Sequence, residues 1–105
     1  MAMFSESWAK ENGRNNDIFD IFYSNMVGDR FKFYIEETEH YDFTDMPAFS
    51  PLAPYLGLKG SLNGERVSKI VNTYTLAFFD QYFMGETGTL LDQPSDEFPE
   101  IIILP

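Results

Sequence analysis

The sequence predicts an α/β fold with parallel strands, in the order strand, helix, strand, loop and long helix. Apolar residues recur at three- and four-residue steps around Ile18 and again after Gly64, and between these regions they alternate from Phe31 to Ile35. A strand–helix–strand unit of this length favours a parallel pair joined by a right-handed crossover. Because two parallel strands do not make a stable sheet, the first strand is expected to need another neighbour.

The first half of the chain contains two predicted strands and one helix. Residues 1–4 are apolar and end at a polar Ser-Glu-Ser, which indicates a buried strand, and residues 8–16 read as a polar loop. A helix is expected over about residues 16–27, capped by Asn15 or Asn16 and closed by Gly28. Its apolar residues are Ile18, Ile21, Phe22 and Met26. Residues 30–38 alternate as a strand does, with Phe31, Phe33 and Ile35 on one face.

The second half is predicted to hold short turns, a long helix and a tail. Prolines and glycines over residues 41–60 exclude a long helix there. From Gly64 to Gly85 the apolar residues follow helical spacing around more than half the circumference, so this helix is expected to be packed on two sides. Residues 86–105 are predicted to be mostly an extended tail, with a final short strand or a packed arm at 100–104. Residues 1–105 are interpreted as a single incomplete domain.

Composition excludes several functional classes. Hydrophobic residues make up 44% of the 105 residues and aromatic residues 17%, which is too apolar for intrinsic disorder. A net charge of -10 disfavours nucleic-acid and anionic-membrane partners. The absence of Cys excludes disulfides, thiol nucleophiles and Cys-type zinc sites. No apolar run is long enough to form a transmembrane segment, and nothing in the sequence indicates a compartment.

His40 is the only histidine, and it follows a predicted parallel strand. The carboxyl ends of such strands are where α/β sheets place catalytic groups, and imidazole suits proton transfer near neutral pH. The alternative is an exposed loop histidine among surface acids, namely Glu36, Glu37, Glu39, Asp42 and Asp45. With one histidine and no cysteine, the chain offers few ligands for a transition metal, so no metal is expected. No phosphate-binding loop or other cofactor motif is present, so no cofactor is expected either.

Three segments together resemble a known family. HYDFTDMPAFSPL (His40 to Leu52) contains an H-x-x-F-x-D pattern formed by His40, Phe43 and Asp45. LKGSLNGERVSKIVNTYTLAFFDQYF follows it, and MFSESW precedes it. In this order they resemble the C-terminal part of α/β-hydrolases of the platelet-activating-factor acetylhydrolase, isoform II, type. The resemblance covers nearly all of residues 1–90.

The resemblance implies a serine esterase in which His40 is the catalytic histidine. The nucleophilic serine of this fold lies on a G-x-S-x-G elbow, and no serine here has that context; Ser61 lacks the leading glycine and follows His40. The family's acid also lies on an earlier segment, so Glu6 is a weak candidate and Asp45 is expected to be structural. Phe43, Met46 and Phe49 are the candidate walls of an acyl pocket, or else they pack as core, and Trp8 and Tyr41 carry the same two interpretations.

The function expected is therefore that of the C-terminal part of an esterase or lipase. The complete protein would hydrolyse carboxylic esters, with phospholipid acetyl esters among the candidate substrates, and these residues alone would be inactive. The alternative is a non-enzymatic module derived from a hydrolase. It would self-associate through the open strand edge or the apolar helix.

Overall fold

The protein folds around a three-stranded sheet in a computed structural model that describes residues 1–11 and 13–105, with the backbone alone for Pro47 and Ala48. The strands are β1 (Ala2–Ser5), β2 (Lys32–Ile35) and β3 (Ile101–Ile103), in the order β1-β2-β3. β1 runs parallel to β2 and β3 runs antiparallel to it. The α/β class and the parallel first pair are confirmed. The final short strand, for which the sequence predicted no orientation, returns along β2 as an antiparallel strand.

Two helices occupy the connection between β1 and β2. Helix α1 (Glu6–Lys10) begins where the Ser5 hydroxyl accepts a hydrogen bond from the Trp8 N–H at 3.3 Å. Helix α2 spans Arg14–Ser24. The predicted loop over residues 8–16 is therefore wrong, although Asn12 lies outside the described residues. A serine cap and an i, i+4 pair between Glu6 and Lys10 stabilise the short helix.

Helix α2 packs on the sheet through its aromatic side. The Phe19 ring lies 4.9 Å from Phe4 of β1, and the Lys32 ammonium of β2 lies 2.6 Å from the Asp20 carboxylate. The apolar residues whose spacing predicted the helix are instead solvent-exposed: Ile18, Ile21, Phe22 and Met26. The helix was thus predicted correctly, but a different side of it contacts the sheet.

After β2 the chain forms two short helical turns and two further helices, α3 (Met46–Phe49) and α4 (Gly64–Phe79). Helix α4 begins at Asn63, whose side-chain oxygen accepts hydrogen bonds from the N–H groups of Glu65 (2.9 Å) and Arg66 (3.3 Å). It continues as a π-helical turn over Asp80–Met84 and ends at Gly85, whose φ is 67°. The predicted long helix is therefore confirmed.

The core lies between α4 and one face of the sheet. Val67, Ile70 and Tyr74 of α4 are buried, and the Tyr74 ring lies 5.0 Å from Phe33 of β2. The other side of the helix remains open, since Leu76 is 61% exposed and the following residues Phe79, Phe83 and Met84 are also exposed. Within residues 1–11 and 13–105, α4 is therefore packed on one side, not on two as predicted.

The segment after Gly85 returns to the core and forms β3. Leu91, Phe98 and Ile101 are buried in the same core as α4. The Arg66 guanidinium reaches Glu100 at 2.7 Å and lies 5.0 Å from the Phe98 ring centroid, which fixes this segment to α4. No helix within the described part of the chain is long and apolar enough to cross a membrane. That residues 1–105 make up a single incomplete domain stays a prediction.

Candidate functional site

His40 begins a short 3-10 turn, His40–Phe43, just beyond the carboxyl end of β2. The chain leaves β2 through a sharp bend at Glu37, which has a φ of 59° although it is not glycine. Thr38 is buried below the bend; its hydroxyl donates to the Ile35 carbonyl at 2.6 Å and accepts from the Glu6 N–H at 3.3 Å. The ends of β1 and β2 are thereby joined directly under the turn that carries His40.

Asp42 anchors this turn from its buried side. Its Oδ2 accepts hydrogen bonds from the N–H of Glu39 at 2.8 Å and from the N–H of Gly60 at 2.7 Å. Gly60 lies so close to the bend that a Cβ there would be 2.0 Å from the Glu37 carbonyl oxygen. Sequence reasoning missed both residues. An Asp three residues after the residue that precedes the turn, here Glu39, is a known local capping arrangement, but the bond of Asp42 to Gly60 joins residues 18 positions apart.

The imidazole of His40 is exposed and lies at a shallow cleft of about 420 Å³. The other lining residues are mostly apolar: Met3, Phe4, Ser5, Trp8 and Phe43. The Trp8 indole stacks on Phe4 with ring centroids 4.1 Å apart, which forms a flat aromatic wall. The site therefore offers one proton-accepting side chain beside an apolar surface.

The described residues do not assemble a catalytic triad around His40. In residues 1–11 and 13–105, no carboxylate or hydroxyl forms a hydrogen bond with the imidazole. Ser5 lines the same cleft, but its hydroxyl is buried, caps α1 and lies 3.1 Å from the Ser7 hydroxyl. Glu6 is also bound elsewhere, by Lys10 and by the Glu37 N–H at 2.6 Å. The bond from the Lys10 ammonium, and then that from Glu37, lower the pKa of the Glu6 carboxyl.

The three candidate acyl-pocket residues lie in two places. Phe43 is partly buried and lines the cleft with His40. Met46 and Phe49 lie on α3, where they are 40% and 83% exposed, and they do not line that cleft. Tyr41 is 38% exposed and meets the His40 ring edge-to-face at 5.2 Å. Trp8 is on the cleft side of α1.

The remaining polar candidates are peripheral. Asp45 precedes α3 but its side chain caps nothing; the Thr44 hydroxyl instead accepts from the Met46 N–H at 3.2 Å. Ser61 is exposed and borders a separate depression, shared with Glu6 and Lys10. Among the side chains that the structure describes, no three His, Asp or Glu residues lie in a group suited to a metal ion.

Comparison with known proteins identifies the fold. A scan against protein-family models found no match, and neither did a search among curated proteins. Among solved structures, the chain is similar to a ferulic acid esterase from Streptomyces cinnamoneus, with a TM-score of 0.83 and 20% sequence identity. The fold of this chain therefore resembles that of part of this esterase. The likeness covers 98% of this chain but 32% of that esterase, so the chain spans about a third of the length of the enzyme it matches.

At this level of identity the likeness shows the fold and not the reaction. The α/β class predicted from the sequence is compatible with it.

Proposed function

We propose that this chain supplies the general-base histidine of a serine hydrolase that cleaves carboxylic esters. The observation that carries the proposal is the position of His40. It is the only histidine, and it lies beyond the carboxyl ends of a parallel strand pair in a chain whose fold matches a third of an esterase. Catalytic groups of open α/β sheets lie at those strand ends.

In the proposed reaction His40 transfers one proton in each half-cycle. Its imidazole takes the proton of a serine hydroxyl as the serine oxygen bonds to the ester carbonyl carbon, and it then gives that proton to the departing alkoxide. An acyl-enzyme and a free alcohol result. Water then attacks the acyl-enzyme by the same two proton transfers, and the carboxylic acid product is released. The serine, the acid that orients the imidazole and the oxyanion-binding amides are assigned to residues beyond the 105 of this chain.

The cleft beside His40 favours uncharged substrates. Its walls are apolar or aromatic, and several carboxylates lie on the same turn and bend, which would repel an anionic group. The candidate acyl groups are the acetyl group of a phospholipid, from the sequence resemblance, and an aromatic acid such as the ferulic acid in the neighbour's name. Phe43 is assigned to the inner wall, and Met46 and Phe49 to an outer wall on α3.

The test is hydrolysis by the complete natural polypeptide that contains these residues. With p-nitrophenyl acetate, His40→Gln should lower kcat/KM by about 10²–10⁴-fold, the usual contribution of a general base. Tyr55→Phe is the matched control, because Tyr55 is 86% exposed and does not line the cleft. Residues 1–105 alone should match the buffer rate. Full activity in His40→Gln, or fluorophosphonate-sensitive turnover by residues 1–105 alone, would refute the proposal.

A second candidate is a non-enzymatic module that associates with copies of itself. Exposed apolar residues on α2 and after α4 favour it, since Phe22 is 62% and Phe83 is 76% exposed. In that case the natural polypeptide would show no ester hydrolysis and would sediment as a multiple of its own chain mass.

A further inference from the structure

The bend between β2 and the histidine turn has an unfavourable backbone conformation. Glu37 has a φ of 59°, in the left-handed region that glycine adopts more readily than any residue with a Cβ. A non-glycine residue persists in this region only when contacts with the surrounding structure hold it there, and such residues concentrate at functional sites. Glu37 lies three positions before His40. The contacts that hold Glu37 therefore also determine where the histidine turn begins.

The backbone of Glu37 is bound at both of its polar groups. Its N–H donates to Oε2 of Glu6 at 2.6 Å, and its carbonyl accepts from the N–H of Leu62 at 3.1 Å. The bond to Leu62 joins two backbone groups, so it does not depend on any side chain. The bond to Glu6 does, and Glu6 thus supplies a side-chain contact that stabilises the positive φ.

Glu6 also contacts the next residue of the bend. Its own N–H donates to the Thr38 hydroxyl at 3.3 Å, and that hydroxyl donates to the Ile35 carbonyl at 2.6 Å. Thr38 is buried. Glu6 therefore binds two successive residues of the connection to His40, Glu37 through its side chain and Thr38 through its backbone.

Both carboxylate oxygens of Glu6 are bound by groups other than the imidazole. Oε2 accepts from Glu37, and Oε1 pairs with the Lys10 ammonium one turn later in α1. The Lys10 side chain is 60% exposed, and exposed pairs of this kind contribute little to stability. What Glu6 provides at the bend is a hydrogen-bond acceptor at a fixed distance from β1, and a neutral acceptor of the same length would serve as well.

We propose that Glu6 is a positioning residue for His40 and acts on it through the N–H of Glu37. This role rests on the proposed function, in which His40 is the general base. A general base must lie within hydrogen-bond reach of the proton it takes, so a displacement of the turn by about 1 Å slows the proton transfer severely. The aromatic wall of the cleft, Phe4 and Trp8, does not follow the bend in the chain. Loss of the Glu6 contact should therefore affect kcat and leave substrate binding unchanged.

The test compares three substitutions of Glu6 in the complete natural polypeptide, with p-nitrophenyl acetate as the substrate. Glu6→Gln keeps the length and an oxygen acceptor without the charge. Glu6→Asp keeps the charge but is one methylene shorter, and Glu6→Ala removes both. We expect kcat to fall by about 10–100-fold in Glu6→Asp and Glu6→Ala and to stay within about threefold of wild type in Glu6→Gln. KM should change by less than about twofold in all three.

Two further variants separate the contacts of Glu6. Lys10→Gln is the matched control, because it removes the ion pair and leaves the bond to Glu37, so its kcat should equal that of wild type. Glu37→Gly allows the positive φ without a side chain that opposes it. Glu6→Ala should therefore lower kcat less in the Glu37→Gly background than in the wild-type background.

Amide hydrogen exchange at residue 37 is a second measurement, and it does not require activity. The Glu37 amide should exchange about 10-fold faster in Glu6→Asp and Glu6→Ala than in wild type, and at the wild-type rate in Glu6→Gln. If Glu6→Ala does not fold, the comparison of Glu6→Gln with Glu6→Asp gives the same test, because these two variants exchange length for charge.

Equal kcat in all Glu6 variants would overturn the inference, even if their thermal unfolding midpoints fell, because the contact would then support only the fold. Unchanged exchange of the Glu37 amide in Glu6→Asp would overturn it as well. So would a large loss of kcat in Glu6→Gln with activity retained in Glu6→Asp, since the charge would then matter and not the bond. If His40→Gln keeps full activity, the proposed function fails, and the exchange rates at residue 37 then decide whether Glu6 holds the bend.

Discussion

The carboxylate of Asp42 accepts a hydrogen bond from the backbone N–H of Gly60 at 2.7 Å. The same oxygen accepts from the Glu39 N–H at 2.8 Å, so one buried side chain holds the histidine turn to the loop that leads into α4. The position of His40 relative to the sheet therefore depends on a residue two positions away that points in the other direction.

Substitution of Asp42 should destabilise the protein. Asp42→Ala removes the acceptor of two N–H groups in a buried setting, and the expected loss in unfolding free energy is about 1–3 kcal/mol. Asp42→Asn keeps one oxygen acceptor and should lose less. The control is Asp45→Ala, because Asp45 is exposed and caps nothing; its change should stay within about 0.5 kcal/mol. Urea denaturation measures all three, and equal losses for Asp42→Ala and Asp45→Ala would contradict the anchoring role.

Gly60 should tolerate no side chain. A Cβ at this position would lie 2.0 Å from the Glu37 carbonyl oxygen, and because the atoms it would meet belong to the backbone, Gly60→Ala requires the bend to move. We expect a loss at or above the upper end of about 1–3 kcal/mol for overpacking. Gly88→Ala is the matched control, since no atom lies within 4 Å of its added Cβ. A Gly60→Ala variant as stable as Gly88→Ala in thermal denaturation would show that this close approach is absent.

Glu100 should make stability depend on acid pH. The bond from the Arg66 guanidinium lowers the pKa of Glu100 below its ordinary value of 4.5. A group whose pKa is lower in the folded protein stabilises it above the unfolded pKa, and that stabilisation is lost as pH falls through the folded value. The difference in urea midpoint between wild type and Glu100→Gln should be constant from pH 7 to about pH 5 and shrink below about pH 4.

Glu86→Gln is the control for this pH series. Glu86 lies in the exposed segment after Gly85, and no side-chain ion pair involves it within the described part of the chain. The urea midpoint of Glu86→Gln should remain close to that of wild type at every pH. If the difference in urea midpoint between wild type and Glu100→Gln were unchanged at pH 3, the ion pair between Arg66 and Glu100 would not stabilise the fold.

The Tyr74 hydroxyl should be dispensable for stability. Tyr74 is fully buried, and its hydroxyl has no hydrogen-bond partner among the described side chains. Because an unpaired buried hydroxyl is unfavourable, Tyr74→Phe should raise the unfolding free energy by about 1 kcal/mol. Tyr82→Phe is the comparison, since the Tyr82 hydroxyl donates to Asp29 at 3.1 Å and its loss should be slightly destabilising. A destabilised Tyr74→Phe in calorimetry would indicate that the hydroxyl has a partner in the native protein.

Local patterns predicted some elements well. The i, i+3, i+4 spacing after Gly64 and the alternation from Phe31 to Ile35 depend on residues close in the chain, and both elements formed where the patterns indicated. The start of the chain was harder to interpret. Helix α1 depends on a cap from Ser5 and an ion pair between Glu6 and Lys10, and its five residues are too few to show an apolar periodicity.

The amino-acid sequence alone determined the types of the main elements, the single histidine after the second strand and the absence of a G-x-S-x-G serine. Contacts between distant residues determined the rest: which side of α2 meets the sheet, the antiparallel return of β3, and the bond from Gly60 to Asp42 that holds the histidine turn. Periodicity reports which residues share a face of one element. Periodicity carries no information on which surface that face contacts, because this depends on how all the elements pack together to bury apolar area.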